Sequence, residues 1–190
     1  MRVLVVVEGK HESDGAARAL IQQIRYDLTD LSFHRLANAP VHVHGKGRGY
    51  FKKAVSWMRQ AHRDGYDAII LLVDRDRMAA RSAEMTAAQD DHAICNIPRA
   101  LGVPIEAFDA WMLADEQALS KVLGITVPQQ PAPENIAHPK DHTEKLLAAL
   151  GLPWGGAEMY ARIAAELDIS HLARRCPEGF ATFADRVRKL

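Results

Sequence analysis

The chain lacks a net charge, a stock of cysteines and any long apolar run, and each absence closes off a class of protein. Its 190 residues carry 24 Lys and Arg against 24 Asp and Glu. No global field draws such a chain onto nucleic acid, so polyanion binding has to come from local patches. The 2 cysteines, Cys95 and Cys176, have no metal-ligating spacing and are expected to remain reduced thiols. No apolar run approaches the roughly 20 residues of a membrane span. Val3 to Val7 follows Met1-Arg2 directly and is stopped by Glu8-Gly9-Lys10. That run is shorter than a signal-peptide core and has no small-residue cleavage site, which gives the expectation of a cytoplasmic protein. There is no internal repeat and no low-complexity tract.

What is present reads as an α/β protein. The composition, 48% hydrophobic and 25% charged, is that of a soluble globular chain long enough to bury a real core. Val3 to Val7 is expected to be a central parallel strand, followed by a Gly turn and an amphipathic helix from about Glu12 to Tyr26. A second strand is placed in the stretch from Phe33 to His44, centred on Val41-His42-Val43-His44. A helix from about Tyr50 to Asp64 leads to Tyr66–Val73, an almost wholly apolar run rich in Ile, Leu and Val. Such a run marks a strand covered on both faces. Ala93 to Pro98 is a candidate fourth strand, and apolar residues at helical spacing run through 105–115. From about Gln117 the chain reads as helices separated by proline and glycine loops, giving an expected core at 1–115 and a helical C-terminal extension at 116–190 packed on it.

The chemistry-bearing residues gather at the ends of those strands. A covered strand leaves its carboxyl end for polar chemistry. Asp74 and Asp76 follow Val73, and in an extended chain residues i and i+2 point the same way. Two anions that close repel, and a divalent cation is the usual remedy. The plain alternative is a solvated loop neutralised by Arg75 and Arg77. Glu8 sits at the carboxyl end of the first strand, on the same expected rim, and Glu12 is four residues on, one helical turn away. Glu106 and Asp109 are three apart and would share a helical face. Acids at a helix N-terminus also suit the helix dipole, which is the structural alternative for Glu12, Glu106 and Asp109. His42 and His44 share a strand face but are more ordinary as half-buried sheet residues. The stretch 45–53 holds Lys46, Arg48, Lys52 and Lys53 with three glycines and no acid. Glycine lets a backbone approach a phosphate, so these four are the candidate contacts to a nucleic-acid backbone.

Val7-Glu8-Gly9 and Asp74-Arg75-Asp76 together resemble the Toprim superfamily, which includes topoisomerases, primases, recombination proteins and nucleases of the overcoming-lysogenization-defect (OLD) type. The run from Ile105 to Asp115, the Pro139-Lys140-Asp141 step and the ending from Ile163 to Phe183 look like a bacterial family of Toprim-like proteins, domain of unknown function 4276. The resemblance implies a Toprim-like (Rossmann-like), mostly parallel sheet flanked by helices. It implies a magnesium or manganese ion on Glu8, Asp74 and Asp76, and a second ion using Glu12 with Glu106 or Asp109. It further implies Lys140 as a charge-neutralising side chain, a nucleic-acid substrate and, from the nuclease branch alone, a partner ATPase. The expected activity is metal-dependent phosphodiester cleavage. The competing expectations are a non-catalytic module binding nucleic acid or a partner protein, and a glycosyltransferase, in which Glu8-Gly9 would have no role.

Overall fold

In the computed structural model residues 1–9, 12–38 and 49–190 are described. Lys46, Arg48 and the expected strand Val41–His44 lie outside them. The described strands are β1 (Arg2–Val7), β2 (Asp30–Arg35), β3 (Ala68–Leu72) and β4 (Arg99–Gly102). They pair entirely in parallel in the order β2-β1-β3-β4, with Val7 opposite Leu72.

Period-two alternation sorts the two central strands onto two cores. Val3, Val5 and Val7 with Ala68, Ile70 and Leu72 face one apolar cluster, while Leu4 and Val6 with Ile69, Leu71 and Val73 face another. Both faces are therefore covered, which is why these strands read as unbroken apolar runs.

The second face is closed by α2 (Gly49–Arg63) and α3 (Ala79–Asp90), which bring Trp57, Met58 and Met85. The first face is closed by a π-helical turn, Glu12–Ala16, running into α1 (Ala17–Ile24). To these are added α4 (Asp109–Met112), α5 (Glu116–Leu123), α7 (Gly156–Glu166), α8 (Ile169–Arg175) and α9 (Thr182–Arg188). A further helix, α6 (Pro139–Leu150), carries Lys140 in its first turn. The first-face core is continuous from Val3 to Val187, so the helices beyond residue 116 share it with the sheet. At its centre Trp111 lies 5.2 Å from the Phe180 ring and 5.7 Å from Phe183. These contacts fasten α9 and the turn before it to α4.

Several local expectations shift. The second described strand is Asp30–Arg35, and the fourth is Arg99–Gly102 rather than 93–98. Arg99 is buried within a strand because its guanidinium donates to the carbonyls of Ile97, Ala88 and Asp91. Gly102 is required by close approach, since a Cβ there would lie 2.6 Å from Phe183 and 2.7 Å from Leu72. On the same edge, Arg186 of α9 donates to the Leu101 carbonyl. The helix α8 carries no apolar run long enough to announce it. Its signal is Asp168, whose side chain accepts from the amides of Ser170 and His171 as an N-cap.

Candidate functional site: a carboxylate rim between β1 and β3

The chain leaves β1 toward β2 on one side and returns to build β3 on the other. The crevice beyond the carboxyl ends of β1 and β3 is therefore a topological switch point, where open α/β sheets bind ligands. Glu8 and Asp74 project into that crevice from neighbouring strands. Glu8 Oε2 accepts the Asp74 amide at 3.1 Å, and Glu8 Oε1 accepts the Tyr50 hydroxyl at 3.2 Å. Asp74 Oδ1 accepts the Phe108 amide at 2.9 Å.

Glu12 enters from the π-helical turn and is only 4% exposed. Gly9 makes room for it, because a Cβ at that position would stand 2.3 Å from Glu12 Oε2. That same Oε2 is buried without a hydrogen-bond partner. Burial, with the charges of Asp109 and Glu8, pushes the Glu12 carboxyl up to about 7. Burial also lifts Asp74 well above the usual carboxylate range, reinforced by the charges of Glu12, Glu8 and Asp109. Asp109, in the first turn of α4, is buried and accepts a hydrogen bond from the Tyr160 hydroxyl of α7. Four acids from four separate segments thus act on one another electrostatically.

Asp76 reaches this rim differently from the expectation of two converging aspartates. The backbone does stay paired past β3, with Val73, Arg75 and Asp76 donating to the carbonyls of Gly102, Pro104 and Glu106. It then turns, with Asp76 and Arg77 both left-handed at φ 48° and 59°. The Asp76 side chain is left 73% exposed. What joins it to Glu8 is Arg81 of α3, a buried guanidinium with Nη1 3.8 Å from Glu8 and Nη2 3.7 Å from Asp76. Arg81 also donates to the Asp74 carbonyl at 2.7 Å and lies over the Tyr50 ring at 4.4 Å.

Glu106 is not on a shared helical face with Asp109. It precedes α4 in a left-handed conformation (φ 62°) and its two oxygens are taken by Arg75 at 3.3 Å and Arg77 at 3.4 Å. Lys140 is exposed, pairs with Glu144 at 3.8 Å, and lines a groove with Asp76, Arg77, Glu106 and His138. Lys52 and Lys53 lie on α2, and Lys53 Nζ rests 4.6 Å from the Tyr50 ring.

Tyr50, Arg81, Glu84 and Tyr160 belong to the site and are unmarked in the sequence. Glu84 of α3 accepts the amides of Tyr50 and Phe51 at 2.7 and 3.1 Å, which ties the start of α2 beside Glu8. An arginine and a glutamate in a polar helix read as solvated residues, and only the packing of α3 beside α2 reveals otherwise.

Hard carboxylate oxygens suit magnesium or manganese, and Glu12 Oε2, in the space left by Gly9, is one such oxygen without a hydrogen-bond partner. Among the described residues, no three His, Cys, Asp or Glu side chains stand together in finished ligand geometry. In donor chemistry Glu8, Glu12 and Asp74 fit a hard cation.

Fold and rim define a doubly covered parallel α/β protein with an acidic switch-point crevice. The chain belongs to the family described as Domain of unknown function (DUF4276), whose model matches residues 7–188. No curated protein and no solved structure matches it.

Proposed function

We propose that the protein is a Toprim-type, metal-dependent nuclease that cleaves phosphodiester bonds at the β1–β3 rim. The observation that carries this reading is the buried Glu12 oxygen without a partner, set among the like charges of Glu8, Asp74 and Asp109. A fold tolerates a buried carboxylate oxygen without a partner poorly, and burial combined with specific charge partners in a cleft marks candidate functional carboxylates. In this reading Glu8, Glu12 and Asp74 hold a magnesium or manganese ion. Such an ion, when bound, supplies Lewis acidity and a more acidic water.

The chain's own residues prepare the site. The Phe108 and Asp74 amides fix the Asp74 and Glu8 carboxylates, and the Tyr50 hydroxyl holds the other Glu8 oxygen. Tyr160 orients Asp109, the candidate for a second ion in place of the arginine-bound Glu106. Arg81, among the acids, is placed to meet negative charge developing on a phosphate. Lys140 and Arg77 line the adjoining groove as contacts to the strand, with Lys52 and Lys53 on α2. A partner ATPase is an expectation of the Toprim nuclease branch.

Incubation with plasmid and single-stranded DNA in manganese, wild type against Asp74→Ala, tests the reading. Cleavage by wild type that falls at least about 10²-fold in the variant supports it. Equal cleavage by both, or none by either, removes it.

A second reading is favoured by Arg81, which already neutralises Glu8 and Asp76. In a non-catalytic module binding nucleic acid or a protein, that ion pairing would be the resting arrangement, and divalent ions would leave thermal stability unchanged.

A further inference from the structure

Beyond Asp74 the chain places Arg75, which pairs with Glu106, in the wall of a second groove. There it stands with Arg174 and Arg175 at the end of α8, and with Asn135, Glu134 and Glu178. Three guanidiniums from two distant segments share this wall. Of its two acids, Glu134 is committed to backbone. Both oxygens of Glu134 accept backbone amides, from Glu178 at 3.2 Å and Gly179 at 2.7 Å. Glu106, which lines the neighbouring groove rather than this one, pairs with Arg75 at 3.3 Å and with Arg77 at 3.4 Å.

Arg75 pairs through Nη2 with Glu106 and Arg175 donates through Nη2 to the Gln130 carbonyl, so each half-buried guanidinium is only partly engaged. Arg174 is exposed at the mouth; the His171 and Ser170 amides, with a smaller contribution from the Arg174 charge, hold the Asp168 carboxyl below its usual range. Glu178 is the exposed acid at the rim. A guanidinium presents five N–H donors in a planar fork matched to oxyanions. A wall that gathers three arginines suits an oxygen-rich anion, and a phosphate supplies the complementary fork.

We propose that this groove is a phosphate-binding subsite. Resting on the nuclease reading for its substrate, it holds a phosphate of a nucleic-acid strand next to the bond presented at Asp74. The phosphate is either an internal phosphodiester or a terminal monoester, and the two share the same chemistry. Arg75 links the two places, one peptide unit from Asp74 and in the wall of the groove.

Fluorescence anisotropy of a 3′-labelled single-stranded oligonucleotide, in EDTA and low salt, reads this without any catalytic ion. Wild type is expected to bind. Arg174→Glu, with an unchanged circular dichroism spectrum, is expected to weaken binding roughly tenfold or more, the scale of a charge-assisted contact. Its salt dependence should flatten by about one unit of slope. Glu178→Gln removes the opposing charge and is expected to tighten binding severalfold. Tighter binding of a 5′-phosphorylated strand than of its 5′-hydroxyl counterpart assigns the monoester, and equal binding assigns the internal diester. Equal affinity of wild type, Arg174→Glu and Glu178→Gln, or no binding by wild type, overturns the proposal. Binding that follows the expected order without manganese-dependent cleavage would remove the nuclease reading alone. Cleavage with binding untouched by Arg174→Glu would remove the subsite alone.

Discussion

At Glu134 two backbone amides meet the two carboxylate oxygens, whereas at Glu12 one oxygen has no hydrogen-bond partner. Both residues are buried, at 8% and 4% exposure, in a chain whose charges otherwise balance. Asp115 belongs with Glu134. Its Oδ1 accepts the amides of Gln117 and Ala118, and its Oδ2 accepts that of Asp168, each at 3.0 Å. These two acids join separate stretches of backbone, and their geometry is complete as it stands. At the β1–β3 rim the acids instead bear on one another's charge, and one Glu12 oxygen is left without a partner. The difference separates acids whose hydrogen bonding is complete from a cluster in which it is not.

That contrast can be broken at either end. Asp115→Ala strips acceptors from three amides at once and should cost about 3–4 kcal/mol, measured by urea denaturation, with no effect specific to divalent ions. A loss under about 1 kcal/mol would put Asp115 outside the structural class.

Glu12→Gln should act in the opposite direction. The folded carboxyl titrates at about 7 against an ordinary 4.5, so the folded state binds the proton more tightly. Between those values wild-type stability falls as pH rises, and the cost is fully present above pH 7 and absent below about 4.5. In EDTA the variant should gain roughly 2–3 kcal/mol at pH 8 and nothing at pH 4.5. A gain that is the same at both pH values would remove the electrostatic account.

Divalent ions sharpen the same point. At a roughly tenfold excess over its dissociation constant, magnesium or manganese should stabilise the wild type by about 1.4 kcal/mol. That corresponds to a melting shift of roughly 3–6 °C. The shift should vanish in Asp74→Ala and survive in Asp115→Ala if the latter is read at a temperature where it is folded. The smallest effect belongs to Lys140, whose exposed pair with Glu144 makes Lys140→Ala worth under about 0.5 kcal/mol in stability. Any larger consequence for that variant should appear in strand binding.

The central strands were readable because full burial on both faces writes an unbroken apolar run, and Glu8 and Asp74 could be placed at one rim from those runs alone. Asp76 could not. Its direction is set by backbone pairing with 104–106 and by two left-handed residues, neither of which has a local signature in Asp74-Arg75-Asp76-Arg77. The helical spacing through 105–115 misplaced Glu106 for a related reason, since only four residues of that stretch form α4. Strand β4 was hidden because its arginine is satisfied by carbonyls from elsewhere and its glycine is chosen by Phe183, both tertiary facts. Arg81 is the clearest case of all, an ordinary helical arginine until α3 sets it between Glu8 and Asp76.

An unguarded sheet margin invites a strand from another molecule to join it. Along β4 that invitation is withdrawn. Phe183 presses on Gly102, and the Arg186 guanidinium occupies the Leu101 oxygen that a newcomer's amide would seek. The final helix therefore does more than fill the interior: it closes that flank of the sheet against growth into a ribbon of stacked copies.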